Sequence, residues 1–322
     1  MIWGEHRPEV SILINTYNYG RFVARAVESA LQQDLPGSEK EIIIVDDGST
    51  DETADVMQKF RGVVKYVQKQ NGGQGSAINA GVSIAGGDIV CLLDADDFFY
   101  PTKLRTVLDA FHSDDRVGVV YNKFDVVDEA GRLLMQRLPH RLIAGDICAR
   151  VQMGYICGSP TSGISGRRSL LLTLPIPEDR FRVSADFYYL ALLPLITRVG
   201  VVESSQHAYR LHGSNAYAGK SGAAQLAIHS QQMESIWHHA ESKLGKRFVQ
   251  TVTVYDREAL DASVPWARRL AGFGADLRTL LAIRGEAGLK SWTLAKITAR
   301  LILGNRPYGF GRGLRDRVLP QQ

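Results

Sequence analysis

Three short clusters of side chains hold most of the chemistry this sequence can offer. Asn15-Thr16-Tyr17-Asn18, Asp46-Asp47-Gly48-Ser49-Thr50-Asp51 and Asp94-Ala95-Asp96-Asp97 each follow an apolar run. Carboxylates gathered in one place repel one another, and some take up protons unless a cation is present. A hard divalent ion with oxygen ligands is the natural partner, and it can also bridge a diphosphate. Tyr17 offers a flat face to a nucleobase, and Asp46 or Asp47 can accept a hydrogen bond from a base or ribose. An aspartate after a strand also serves turn chemistry, and Asp51 can simply start a helix. One such cluster decides nothing, but three in succession form a pattern.

The elements around them explain how they could meet. Val10–Ile14, Glu41–Val45, Val63–Val67, Asp88–Leu93 and Val117–Asn122 read as strands. Between them lie helical patterns: Phe22 to Leu31, a run to Phe60 opened by a Ser49-Thr-Asp-Glu52 capping box, Ser76 to Ala85, and a helix from Pro101 through His112. Alternation of this kind predicts βαβ units, a doubly wound and mostly parallel α/β sheet with helices on both faces. In such sheets ligands bind beyond the carboxyl ends of the strands, which is where all three clusters fall. After Lys123 the pattern loosens, with a hairpin turn at Glu129–Arg132 and an irregular stretch from Leu138 to Pro177. From Ala223 the chain reads as mainly helical, so the sequence divides into an α/β part, 1–218, and a helical C-terminal region, 219–322. His229, His238 and His239 sit on a polar helical stretch and are expected to be solvated.

Composition narrows the setting. With 322 residues, 45% hydrophobic and 22% charged, the chain has the make-up of a globular protein. Cys91, Cys148 and Cys157 show no C-x-x-C spacing, which suits a reducing compartment. No signal-like or membrane-spanning apolar run is present, so a cytoplasmic location is expected. The net charge of +4 is uneven: residues 289–322 hold Lys290, Lys296, Arg300, Arg306, Arg312, Arg315 and Arg317 against Asp316 alone. The helical stretch Leu289–Leu303 has a broad apolar face. It could lie on the inner face of the cell membrane, or pack against the rest of the chain. A nucleic-acid partner is not expected. Gly72–Gly75 is no dinucleotide fingerprint, which belongs after the first strand. Asp94-x-Asp96 does not suit an aspartyl-nucleophile phosphatase, since Phe98 stands where a threonine or similar residue is needed.

Four blocks in order, Val10–Asn18, Glu41–Asp51, Asn71-Gly-Gly-Gln-Gly-Ser-Ala-Ile-Asn-Ala-Gly81 and Leu92–Asp97, resemble the family 2 glycosyltransferases of GT-A fold. The likeness spans roughly residues 8–215 and implies a catalytic part, 1–218, with a nucleotide half, about 8–122, and an acceptor half, about 123–218. It implies an inverting enzyme with a nucleotide-sugar donor, usually a UDP or dTDP sugar, a Mg2+ or Mn2+ ion, and a saccharide or lipid-linked acceptor. Carried over by position, Thr16, Tyr17 and Asn18 line the base pocket, and Asp47 meets uracil and ribose, with Asp46 beside it on the donor side. Asn71, Ser76, Asn79 and Ala95 fall on the donor side, and Asp94 meets the ribose. Asp96 ligates the metal, while Asp97 supports the loop or caps the next helix. Ser184-Ala-Asp186 occupies the place of the family's Glu-Asp pair, leaving Asp186 as the general base; Glu178-Asp179 is its rival. Tyr209–Asn215 resembles the late motif, with His212 reaching the metal or diphosphate and Arg210 supporting it. Asn15 stands where proline is common, and Ile78 where arginine is common before the asparagine. The family's glutamate is absent at Ala185, which admits a second class of function, a protein that binds a sugar nucleotide without turnover.

Overall fold

A computed structural model describes residues 7–35, 39–215, 222–249, 276–283, 290–291, 293–294 and 297. The chain forms two compact units, one of residues 1–147 with 157–219, the other of residues 148–156 with 220–322. The first unit begins with four parallel strands, β1 (Val10–Thr16), β2 (Lys40–Asp46), β3 (Lys65–Gln68) and β4 (Ile89–Asp94), ordered β3-β2-β1-β4. Their register sets Asn15 opposite Asp94 and Thr16 opposite Asp46. The three clusters therefore leave the sheet at one edge.

Side chains alternate between two buried faces, as a doubly covered sheet demands. Ile12, Ile14, Ile44, Cys91 and Leu93 join Val23 and Val27 of α1 (Gly20–Leu31) and Leu104 and Phe111 of α4 (Lys103–His112). Leu13 points the other way, onto α3 (Gln74–Ile84). There Gly81 lets the helix come so close that an added Cβ would stand 2.1 Å from the Leu13 side chain.

Beyond β4 the sheet becomes mixed. β8 (Ile164–Arg167) runs antiparallel to β4 and to β6 (Val117–Val127); β9 (Arg198–Arg210) runs parallel to β6 and antiparallel to the short β5 (Phe98–Phe99). The expected hairpin forms between β6 and β7 (Leu133–Leu138), and the expected fifth strand runs five residues further than Asn122. Three strands, β5, β8 and β9, were not legible as strands. β5 has two residues, β8 is Ile-Ser-Gly-Arg, and β9 mixes Glu203-Ser-Ser-Gln-His into its run.

The capping box does not form. Ser49 Oγ accepts from the Asn18 amide, and Asp51 instead accepts from Thr53 N at 3.0 Å, so α2 (Thr53–Met57) is short and ends in a 3-10 turn to Phe60. Two further helices complete this unit: α6 (Arg168–Thr173) behind β8 and α7 (Asp186–Ile196), whose first residue is Asp186.

In the second unit, α5 (Cys148–Gln152) and α8 (Gly222–Leu244) are described, with a helical piece over 276–282. Met153, Val249, Leu280, Ile283 and Ile297 form its apolar cluster, with Ala149 packed against it. This apolar patch explains why 148–156, assigned from sequence to the acceptor half, folds with the second unit. His229 is a correction. It is buried in the stripe His229, Gln232, Met233 and Ile236, a helical spacing that sets it on the inner face; of the three histidines only His238 is exposed. Most of the basic stretch lies outside the described residues.

Candidate active site

The edge beyond β1, β2 and β4 is built by loops that hold one another. Asn18, with φ 55°, accepts from Thr50 N at 2.8 Å and donates its own amide to Ser49 Oγ at 2.9 Å. Asp51 accepts from Gly20 N at 2.9 Å, which joins the second loop to the start of α1. Tyr17, 46% exposed, leaves its ring at the surface of this wall, and the Thr16 hydroxyl is buried without a hydrogen-bond partner.

Asp46 and Asp47 are turned inward, at 0% and 3% exposure. Asp46 takes Tyr66 Oη at 2.5 Å and Ser49 N at 2.8 Å. Asp47 takes Lys69 Nζ and Gly72 N, both at 2.9 Å, and Gly73 N at 2.6 Å. All four of their oxygens are thus engaged within the protein, although the sequence placed these residues against base and ribose. A buried carboxylate needs partners, and the glycine loop's amides supply them.

Asn79 also faces the protein. It donates to Ile176 O at 2.8 Å and accepts from Ile176 N at 2.9 Å, and with the Ser76 hydroxyl it binds Glu178, whose carboxyl is held below its ordinary range. Glu178 is thereby pinned to α3, which weakens it as rival to Asp186. Asn71 accepts from the Arg182 guanidinium. Ile78 is fully buried and apolar.

Asp94, Asp96 and Asp97 present oxygens that all lie within 4.8 Å of one another. Asp94 accepts from Asn15 Nδ2 at 2.9 Å, a bond that proline at that position could not make. Its carboxyl is raised to about 7, chiefly by burial and then by the charge of Asp96, with Asp186 adding to it. Asp97 is pushed well above its ordinary value, again by burial first and then by Asp96 and Asp94. Its oxygens accept from Ser162 Oγ at 2.6 Å and Arg210 N at 3.0 Å, so it fastens the loop to β9 as expected of a supporting residue. Ala95 is buried beneath, its amide bonded to Asn15 O.

Asp96 meets the end of β9. Its Oδ2 lies 3.0 Å from His212 Nε2 and 3.2 Å from Asn215 Nδ2. Two adjacent ligands of an octahedral ion held at 2.0–2.1 Å are themselves about 3 Å apart, so this pair suits co-ligation. The raised carboxyls point the same way: a hard cation removes the repulsion that holds them protonated. Arg210 places its guanidinium over Phe22 and Phe98, at 5.0 and 5.5 Å, with Nε unpartnered among the described residues. Burial lowers its pKa, while Asp97 and Asp96 oppose the shift.

Asp186 opens α7, and the N–H of Ala185 just before it is joined to Asp94 through the Gln74 amide. The Asp186 carboxyl is raised to about 6 by burial, against hydrogen bonds from backbone N–H groups that include Thr161. A carboxyl at that value is largely ionised at neutral pH yet basic enough to take a proton.

Sequence reasoning missed several members of this site. Gln74 and Asn215 stand inside the third block and the late motif, so position alone could have flagged them. Thr161 and Ser162, in the 3-10 turn Thr161–Gly163, fall in a stretch, Gly158–Gly163, assigned from sequence to the acceptor side without tying either residue to these aspartates.

Comparison with known proteins bears on the family and the fold. The model of glycosyl transferase family 2 matches residues 11–171, half of the chain. A glycosyltransferase of Nostoc sp. (strain PCC 7120) is 34% identical over 223 residues, 67% of this chain and 68% of that protein. Chondroitin synthase of Escherichia coli is 37% identical over 130 residues, 39% of this chain but only 19% of the synthase. Among solved structures, S. aureus TarS 1–349 in complex with UDP-GlcNAc aligns with TM-score 0.55 at 19% identity, covering 91% of this chain and 90% of that one. A Pyrobaculum calidifontis mannosyltransferase in complex with GDP-Man and Mn2+ aligns with TM-score 0.53 at 18% identity, covering 92% and 88%. Both structural likenesses speak for the fold. With the matched family model and the long relative, they place this chain in glycosyl transferase family 2.

Proposed function

We propose that this glycosyltransferase moves a sugar from a nucleoside-diphosphate donor to an acceptor hydroxyl by a single inverting displacement, with Asp186 as general base. The observation that carries the reading is the position of Asp186 at the start of α7, where the N–H of Ala185 just before it is joined to Asp94 through the Gln74 amide. Asp94, Asp96 and His212 would hold a divalent ion, Mg2+ or Mn2+, which when bound offsets charge on the departing diphosphate. The exposed Tyr17 ring and the Thr16 hydroxyl are suited to the base and ribose, while Asp46 and Asp47 brace the wall behind them. Asp186 takes the acceptor proton as the hydroxyl attacks the anomeric carbon, help typically worth about 10² to 10⁴ in rate. With an α-linked donor the product is a β-glycoside, as in the synthesis of cell-surface polysaccharide. Asp186 and the paired Asp96 and His212 leave a binding protein without turnover little support.

The test uses the purified chain with Mn2+ and a panel of UDP-, dTDP- and GDP-sugars, following release of the nucleoside diphosphate. Asp186→Asn should lower turnover at least about a hundredfold with donor binding retained. Parental turnover in that variant would end the base assignment.

A further inference from the structure

Between the metal-side aspartate and the proposed base stands one neutral side chain, Gln74, the first residue of α3. Its Nε2 donates to Asp94 Oδ1 at 3.0 Å and to Thr161 Oγ1 at 3.2 Å. Its Oε1 accepts from Ala185 N at 2.9 Å. The orientation of the amide is dictated by these partners: turned over, it would set its oxygen against a carboxylate and its NH2 against an N–H.

We infer that Gln74 is a positioning residue that sets the distance between Asp94 and Asp186, and so between donor and base. The start of α7 has no capping side chain of its own. Gln74 satisfies one of the amides that a helix start leaves open, at the residue before Asp186. Neighbouring bonds make the link stiff. Gln74 N donates to Arg182 O at 3.0 Å, and Gly75 N to Phe181 O at 2.9 Å. Gly73, at φ 91°, lets the chains meet, because a Cβ there would stand 2.5 Å from Arg182 Cα. Thr161 stands beside this link, its hydroxyl accepting from Gln74 Nε2 at 3.2 Å.

Asp94 has a second anchor in Asn15, whereas Ala185 N finds its partner in Gln74. Removing the amide should therefore free the α7 start and leave the donor side in place. This inference rests on Asp186 being the base. The experiment compares the full chain with Gln74→Met, which keeps length but loses the amide, and Gln74→Asn, which keeps the amide but is one methylene short. Crystal structures of both variants should show the Ala185–Asp186 turn displaced from Asp94 by about 1 Å, a misplacement that costs on the order of a hundredfold. For the donor of the panel that turns over fastest, kcat should fall ten- to a hundredfold, roughly, with KM changed less than about threefold. Combined with Asp186→Asn, Gln74→Met should add less than about twofold, since both act through one group. An unmoved turn, an equal fall in both backgrounds, or parental kcat in either variant would overturn the inference. Parental turnover in Asp186→Asn alone would instead remove the base reading, and the displacement would still be measurable.

Discussion

At the scale of single residues, proton occupancy on the aspartates governs behaviour. With Asp94 raised to about 7, the metal-free protein holds a proton that the unfolded chain, with a carboxyl near 3.8, does not. That group's share of stability is full below the lower value and is lost as pH rises through the upper one. A cation must displace the same proton, so stabilisation by a fixed excess of Mn2+ should grow from pH 6 to pH 8. Thermal shifts with and without Mn2+ would check this, and a flat response would count against Asp94 as part of the ion site. Asp186 predicts a different limb. Turnover should fall as pH drops below about 6, because the protonated carboxyl accepts nothing, and Asp186→Asn should lack that limb. Lys103 is a residue that sequence could not place. It sits in the first turn of α4, where lysine reads as a surface residue, yet it is fully buried and donates to Asn122 Oδ1 at 2.5 Å and Ser162 O at 3.0 Å. Burial lowers its pKa to about 8. Lys103→Met would strand both acceptors, an expected loss of about 1–3 kcal/mol by denaturant unfolding.

At the scale of elements, legibility followed hydrophobic pattern. β1, β2 and β4 could be read because strands covered on both faces are almost wholly apolar, and the residues after them were legible for the same reason. β8 and β9 could not: their pairing is set by neighbours distant in sequence, and Gly166 or Ser205 carries no strand signal of its own. The inward turn of Asp47 and Asn79 was hidden too, since the amides that claim them come from other segments, and Asp46 is drawn in by the Tyr66 hydroxyl of β3. Close approach makes α3 a sensitive element. Gly81→Ala should destabilise the chain by about 1–3 kcal/mol, measured as a lower denaturation midpoint, because a Cβ would meet Leu13 at 2.1 Å.

At the scale of the whole molecule, the chain divides into two units, and its basic stretch lies mostly outside the described residues. No helix among the described residues is long and apolar enough to cross a membrane. Peripheral contact through Leu289–Leu303 and the basic side chains is our proposal. The full chain should float with vesicles containing anionic lipid, and a chain ending near Gly285 should float less. Equal flotation would remove the idea.

The bonds among Asn18, Gly20, Ser49, Thr50 and Asp51 have a consequence for recognition. They stitch the first two loops into one body before any nucleotide arrives. Ordering a backbone residue costs about 1–2 kcal/mol, and here that loss of freedom is met during folding. If this wall meets the base, as we propose, discrimination there would rest on a preset shape that does not yield to a wrong base.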